Sequence, residues 1–313
     1  MKNKILIVGS SNTDMVLKTS RFPKPGETIV GGDFFVFQGG KGANQAVAAA
    51  RLGGTVSFIC KVGNDAFGNE AVHHYRNEGI DVDEIVKDEQ VPTGVAVITV
   101  NEEGENSIIV ASGANALLSV NDIKNSVALA NADWIITQLE TPLHVVEFLS
   151  SYGRDHQKKI ILNPAPALPL PDSVYDGLFL ITPNENETEL LTGVTVTDEA
   201  SAGEATAIFK SRGVQNIIIT LGSKGAFVDC EKFKGMIESY RVKALDTTAA
   251  GDVFNGALVV ALAEEKGWED SVKFACKAAA IAVTKMGAQA SAPTQKEIES
   301  FTIKQSLLNK IAI

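Results

Sequence analysis

The sequence predicts an α/β fold: a mostly parallel, doubly wound sheet in a three-layer α/β/α arrangement, with a small β-sheet attached as a lid. Three observations carry this. Short, continuous apolar runs recur along the chain and end in Gly or a polar turn, as strands buried on both faces do. Helix-compatible stretches separate most of these runs, the alternation that builds a doubly wound sheet. Two regions break the rhythm with hairpin-like patterning.

Taken in order, KILIVG opens the chain as the first strand, and residues 13–37, with ETIVGGDFFVF, form the first lid segment. The run FQGGKGANQAVAAARLG at 37–53 is a glycine-rich loop entering a helix at Ala43 to Leu52. VSFICKVG at 56–63 is a strand, and TGVAVITV, the turn NEEGEN and SIIVA at 93–111 form the second lid segment as a β-hairpin. Further strands are WIITQL (134–139), KKIILN (158–163), LFLIT (178–182) and NIIITLG (216–222). The last third is helical, with GDVFNGALVVALAEEKG (251–267) and WEDSVKFACKAAAIAVTKMG (268–287) each ended by Gly. No repeat or linker divides the chain, so residues 1–313 read as one domain with the lid inserted in it. An exposed lid sheet needs its open face covered, which points to a homodimer through the lid.

Composition narrows the function class. With 45% hydrophobic residues the chain can bury a core, and its formal net charge of −10, without any run of Lys or Arg, disfavours nucleic acid and anionic membranes as partners. Small-molecule chemistry is the better prior. The apolar run Ile5 to Val8 is too short for a signal peptide or a membrane span, so a cytoplasmic protein is expected. Cys60, Cys230 and Cys276 lie far apart without a Cys-x-x-Cys pair, which indicates buried thiols rather than a disulfide frame or zinc site.

Several segments carry candidate chemistry. In DTTAAGDVFNGAL (246–258), the small residues Ala249, Ala250 and Gly251 precede a helix, so their amides can surround an anion at the positive end of the helix dipole. Asp252 follows in the first turn, either as a helix cap or as a base beside the bound phosphoryl group. The run GGKG at 39–42 fails both the P-loop and the dinucleotide pattern and is as compatible with a plain helix-entry turn as with a ligand site. Asn12 and Asp14 emerge from the end of a central strand, where α/β folds bind ligands, though an Asx turn would look alike. Asn184 and Glu187 stand i, i+3 at a helix start, as a site or as a cap plus a surface acid; Glu185 and Glu189 read as solvent-facing. TLGSKG (220–225) is a Gly-rich turn after a strand.

The run DTTAAGDVFNGAL resembles the signature of the ribokinase family, the PfkB-type carbohydrate kinases, and GGKGANQA is similar to the sugar-binding signature of the same family. The resemblance extends from Ile5 to about Pro293 and implies a ribokinase-like fold and ATP-dependent phosphorylation of ribose at its 5-hydroxyl. It makes Asp252 the catalytic base, with the amides of residues 249–252 as the anion hole. It assigns the sugar to Asn12, Thr13, Asp14, Gly40, Lys41, Gly42, Ala43, Asn44 and Glu140. The nucleotide falls to Asn184, Glu187, Thr220, Leu221, Gly222, Ser223, Lys224, Gly225 and Cys276, with Mg²⁺ and phosphate organised by Asn184 and Glu187 through water. Asp246, Thr248, Ala282, Lys285, Gly287 and Ser291 would bind potassium, mostly by backbone carbonyls, Lys285 by its carbonyl alone. Related sugar kinases acting on deoxyribose, fructose or nucleosides share the terminal motif, and a non-catalytic sugar-binding regulator on the same fold is the alternative of a different class.

Overall fold

A computed structural model describes residues 3–301. Its central sheet has eight strands in the spatial order Phe233–Ile237, Ala226–Cys230, Asn216–Thr220, Leu180–Ile181, Lys159–Leu162, Trp134–Thr137, Lys4–Val8, Thr55–Ile59. The last six run parallel, and the Ala226–Cys230 and Phe233–Ile237 strands add an antiparallel edge that sequence patterning left unassigned. Alternation along the strands divides the core. Ile5 and Ile7 face the layer containing helices Lys41–Arg51, Ala250–Ala263 and Trp268–Ala282, while Leu6 and Val8 face the layer containing Leu143–His156 and Glu199–Ser211. This is the expected mostly parallel α/β sandwich.

From strand Lys4–Val8 the chain crosses to Thr55–Ile59 on one side and later to Trp134–Thr137 on the other. Strand order therefore reverses here, and a crevice opens beyond the C-terminal ends of these strands. The small separate sheet stands beside it, in the order Asp33–Gly39, Asn12–Lys18, Gly94–Val100, Asn106–Ala111. One of its faces carries exposed Phe34, Val36, Val97 and Ile109, and the other carries Phe35, Phe37, Ile108 and Val110 beside Asp14.

Several expected boundaries move. VSFICKVG breaks at Cys60 into Thr55–Ile59, in the central sheet, and Lys61–Gly63, which pairs with Val86–Asp88 in a separate two-stranded sheet. The glycine-loop helix starts at Lys41, not Ala43, because Gly40 turns the chain with φ 90° and hands the helix its first residue at once. Helix Ala250–Ala263 ends before Gly267, where Glu265 goes left-handed at φ 61°, and Gly267 instead starts the next helix. That helix stops at Ala282, since the turn after it folds back: Val283 accepts from the amides of Leu245 and Asp246, and Gly287 donates to Asp246 Oδ2. All three cysteines are free and buried. Among the described residues no helix is long and apolar enough to cross a membrane.

Candidate active site

The site begins where strand Lys4–Val8 ends. A Cβ on Gly42 would lie 2.7 Å from main-chain atoms of Gly9 and Ser10, so only glycine lets helix Lys41–Arg51 start against this turn. The close approach at Gly42 is backbone to backbone. Ser10 O accepts from the Ala43 amide at 2.9 Å, Ser10 Oγ accepts from Gly42 at 3.3 Å, and Glu140 Oε2 accepts from the Lys41 amide at 3.0 Å and from Ser10 Oγ at 2.5 Å. Glu140, delivered by the segment after strand Trp134–Thr137, thus places a carboxylate on the positive end of the helix, where the dipole favours it.

Asn12 and Asp14 share one face of strand Asn12–Lys18, while Thr13 points to the other and is fully buried with an unpartnered hydroxyl. Asn115, which sequence reading did not single out, donates to Asn12 Oδ1 at 2.8 Å and exchanges two hydrogen bonds with the Ser11 backbone. Asp14 sits against Gly39, where a Cβ would fall within 2.4 Å of its carboxylate. Burial, then the Glu140 and Asp252 charges, push the Asp14 carboxyl up to about 7.

Asp252 is 5% exposed in the first turn of helix Ala250–Ala263. It does not cap that helix. The N-cap is Ala249, a non-glycine residue held left-handed at φ 58°, and no side chain caps the terminus. Among the described residues the amides of Gly251 and Asp252 have no partner, and Ala249, Ala250 and Gly251 line a cleft of about 690 Å³. Asp252 Oδ2 accepts from Asn44 Nδ2 at 2.9 Å and Oδ1 from Gln45 Nε2 at 3.1 Å. Burial raises its carboxyl above the usual range, with Lys41, Asn44 and Gln45 opposing the rise. For Lys41, burial acts downward, yet the carboxylates of Asp252, Glu140 and Glu187 outweigh it and hold the ammonium above its ordinary value. Lys41 is therefore the cation shared by the acids of both ends of the site.

The cleft runs outward from Lys41 and Asp252 to Thr220, Gly222, Ser223 and Gly225, and to Cys276 on helix Trp268–Ala282. Cys276 is buried, and burial pushes its thiol up to about 12, so it offers a surface rather than a nucleophile. Leu221 and Lys224 do not line the cleft: Leu221 is buried, and Lys224 faces solvent, 3.4 Å from Glu185. Asn184 and Glu187 line it while forming a capping box on helix Glu185–Thr192, each side chain accepting from the other's amide at 2.8 Å. Cap and cleft-lining residue coincide here. Glu187 is buried, not a surface acid, and burial raises its carboxyl. Glu185 is half-buried and Glu189 exposed.

Asp246 lies behind the uncapped terminus. Its oxygens accept from Thr248 N at 2.9 Å and Gly287 N at 2.8 Å, bonds that hold its carboxyl below the usual range despite burial. They bring 246–248 against the turn after Ala282, with Lys285 Nζ turned away to Glu297 at 2.6 Å and Ser291 buried nearby in sequence. Tyr240, Arg241 and Val242 also line the cleft and were not anticipated, because no motif marks this irregular segment.

A family model described as "pfkB family carbohydrate kinase" matches residues 2–295. The chain is 46% identical over 302 residues to the ribokinase of Haemophilus influenzae, covering 96% of this chain and 99% of that one. It is 36% identical over 299 residues to the deoxyribokinase of Salmonella typhi, covering 95% and 98%. Among solved structures, that of Arabidopsis thaliana ribokinase complexed with ribose and ATP superposes with a TM-score of 0.89 at 31% identity, covering 96% and 98%. Matched over nearly its whole length by this family model and by these relatives, the chain belongs to the pfkB family of carbohydrate kinases.

Proposed function

We propose that this chain transfers the γ-phosphoryl group of ATP to the 5-hydroxyl of D-ribose. The observation that carries the reading is Asp252: a buried carboxylate whose two oxygens each accept one amide N–H, beside a helix terminus whose amides are left open to a cleft. A carboxylate so placed can take a proton from a hydroxyl while the amides of residues 249–252 stabilise the charge on the transferring phosphoryl. Asn12, Asp14, Lys41, Asn44 and Glu140 hold the sugar at the inner end; Thr13, Gly40, Gly42 and Ala43 serve this end through backbone and packing. Asn184, Glu187, the turn 220–225 and Cys276 border the nucleotide. In-line attack of the deprotonated oxygen on phosphorus completes the transfer, and Lys41 offsets the charge between the two substrates.

Mg²⁺ would come with the nucleotide phosphates, and Glu187 and Asn184, which line the cleft, would hold it through water. It would neutralise phosphate charge. A potassium ion would be held by oxygens of Asp246, Thr248, Ala282, Lys285, Gly287 and Ser291, and would support the helix terminus from behind. The exposed apolar side chains of the small sheet form the surface on which two copies pair, closing the lid over the sugar. Three unpaired thiols fit a reducing, cytoplasmic compartment.

The greater identity to a ribokinase than to a deoxyribokinase favours ribose. ADP release measured over ribose, 2-deoxyribose, fructose and adenosine tests this, with ribose expected to give the highest kcat/KM; a higher value for 2-deoxyribose replaces the substrate. Asp252→Asn is expected to keep ribose binding by calorimetry and to lose about 10³-fold or more in kcat. A sugar-binding regulator would show thermal stabilisation by ribose without ADP.

A further inference from the structure

We infer that Gln45, which has no place in the substrate-binding set, is the residue that positions the Asp252 carboxylate and holds it as a proton acceptor; the inference rests on reading Asp252 as the base. Gln45 is fully buried, one residue beyond Asn44 in helix Lys41–Arg51. Its orientation is dictated from a distance. Asn163 Nδ2 donates at 3.2 Å to the main-chain carbonyl of Thr182, a group that can only accept. Asn163 Oδ1 must then face Gln45, and Gln45 must meet it with Nε2, at 3.1 Å. The second hydrogen of the same Nε2 goes to Asp252 Oδ1 at 3.1 Å, and Gln45 Oε1 accepts from Gln138 Nε2 at 2.7 Å. Turned the other way, Gln45 would set its own oxygen against those of Asn163 and Asp252.

Asn44 is the useful contrast. It donates to Asp252 Oδ2 at 2.9 Å, but its own Oδ1 is buried without a partner, leaving an acceptor for a ligand hydroxyl. Every polar atom of the Gln45 amide is already used. Asn44 therefore has capacity for substrate, and Gln45 has none.

Protonating Asp252 would turn one of the two accepting oxygens into a weaker, hydroxyl acceptor, so the amide pair favours the carboxylate. Around it, Lys41 on the same helix acts in the same direction. Glu140 beyond strand Trp134–Thr137, Asp14 on the small sheet and Glu187 on helix Glu185–Thr192 are like charges that act against it, as does burial. Removing the Gln45 bond leaves the opposing groups in place, and the pH below which Asp252 is protonated rises.

The test is the pH profile of kcat for ribose in Gln45→Met, which keeps the side-chain length without hydrogen bonds, and in Asn163→Leu, which removes the partner that orients Gln45. For Gln45→Met we expect the acid limb to move up by about one pH unit, with kcat at neutral pH down about 10-fold to 100-fold and KM for ribose nearly unchanged. Asn163→Leu should shift the limb the same way by less, and it decides the matter if Gln45→Met does not fold by thermal unfolding. An acid limb that stays at the parent position in the folded variants overturns the inference. Asp252→Asn is run alongside: if it is inactive, an unmoved limb sinks the role of Gln45 alone; if it keeps near-parent kcat, the base assignment falls and this inference with it.

Discussion

Two helix entries in this molecule look alike in sequence and differ in what their amides do. Both follow a run of small residues, both begin after a left-handed residue, Gly40 or Ala249, and neither has a capping side chain at its own N-cap. At helix Lys41–Arg51 the first three amides are consumed internally, by Glu140 and by both oxygens of Ser10. At helix Ala250–Ala263 the terminus opens on the cleft. A glycine-rich helix entry is thus not a ligand site in itself: it becomes one where the fold withholds the acceptors that would otherwise satisfy it. The first entry serves as rigid support for Lys41 and Asn44; the second presents open amides to the cleft, the surface proposed to stabilise charge.

The same substitution at each entry gives the sharpest contrast. Gly42→Ala drives a methyl to 2.7 Å from the backbone of Gly9 and Ser10, which cannot yield cheaply, so it should destabilise the fold by about 3 kcal/mol, read by denaturant unfolding. Gly251→Ala meets nothing within 4 Å and suits a helix, so stability should hold or rise while kcat falls about 10-fold as the methyl enters the cleft. Equal effects on stability at the two sites would erase the distinction between support and surface.

A smaller effect concerns charge crowding. Asp14 is raised in the folded state to about 7, so the folded protein holds a proton that the unfolded chain releases near 3.8, and stability declines as pH rises between these values. Asp14→Asn removes that decline. At pH 8 it should stabilise the ligand-free protein by about 1 kcal/mol, seen as a higher Tm that converges on the parent near pH 4, while ribose affinity falls. A parent Tm that is flat over this window would contradict the crowding. Smallest of all, Ala249→Gly relieves a left-handed alanine and should change stability by about 0.5–1 kcal/mol in the favourable direction. A loss of stability there would mean that the left-handed turn depends on the alanine side chain.

Much of this was legible in the linear chain. Continuous apolar runs such as KILIV and WIIT report burial on two faces, a local property, and they place six parallel strands without reference to partners. The antiparallel edge went unread because its strands, AFVDC and FKGMI, mix a charged or Gly residue into a short run, and only pairing, AFVDC with Asn216–Thr220 and FKGMI with AFVDC, makes them strands. Asp252, Lys41 and the N-x-x-E pair were visible because the motifs that carry them resemble a family's signatures, although residue type and spacing alone left a cap or a plain turn equally open. Gln45 and Asn115 were not: an amide has no charge or motif of its own, although the polar pair Asn44–Gln45 among alanines was a signal.

By itself, then, the sequence determined the layers, the small separate sheet and the identity of the groups that bear charge, since these follow from burial pattern and side-chain type. Only the tertiary structure decided which helix entry stays open, which carboxylates crowd together, and which way each buried amide points. Those depend on hydrogen bonds between residues far apart in the chain, Gln45 to Asp252 and Asn115 to Asn12 among them, and no local pattern encodes a partner that arrives from elsewhere in the fold.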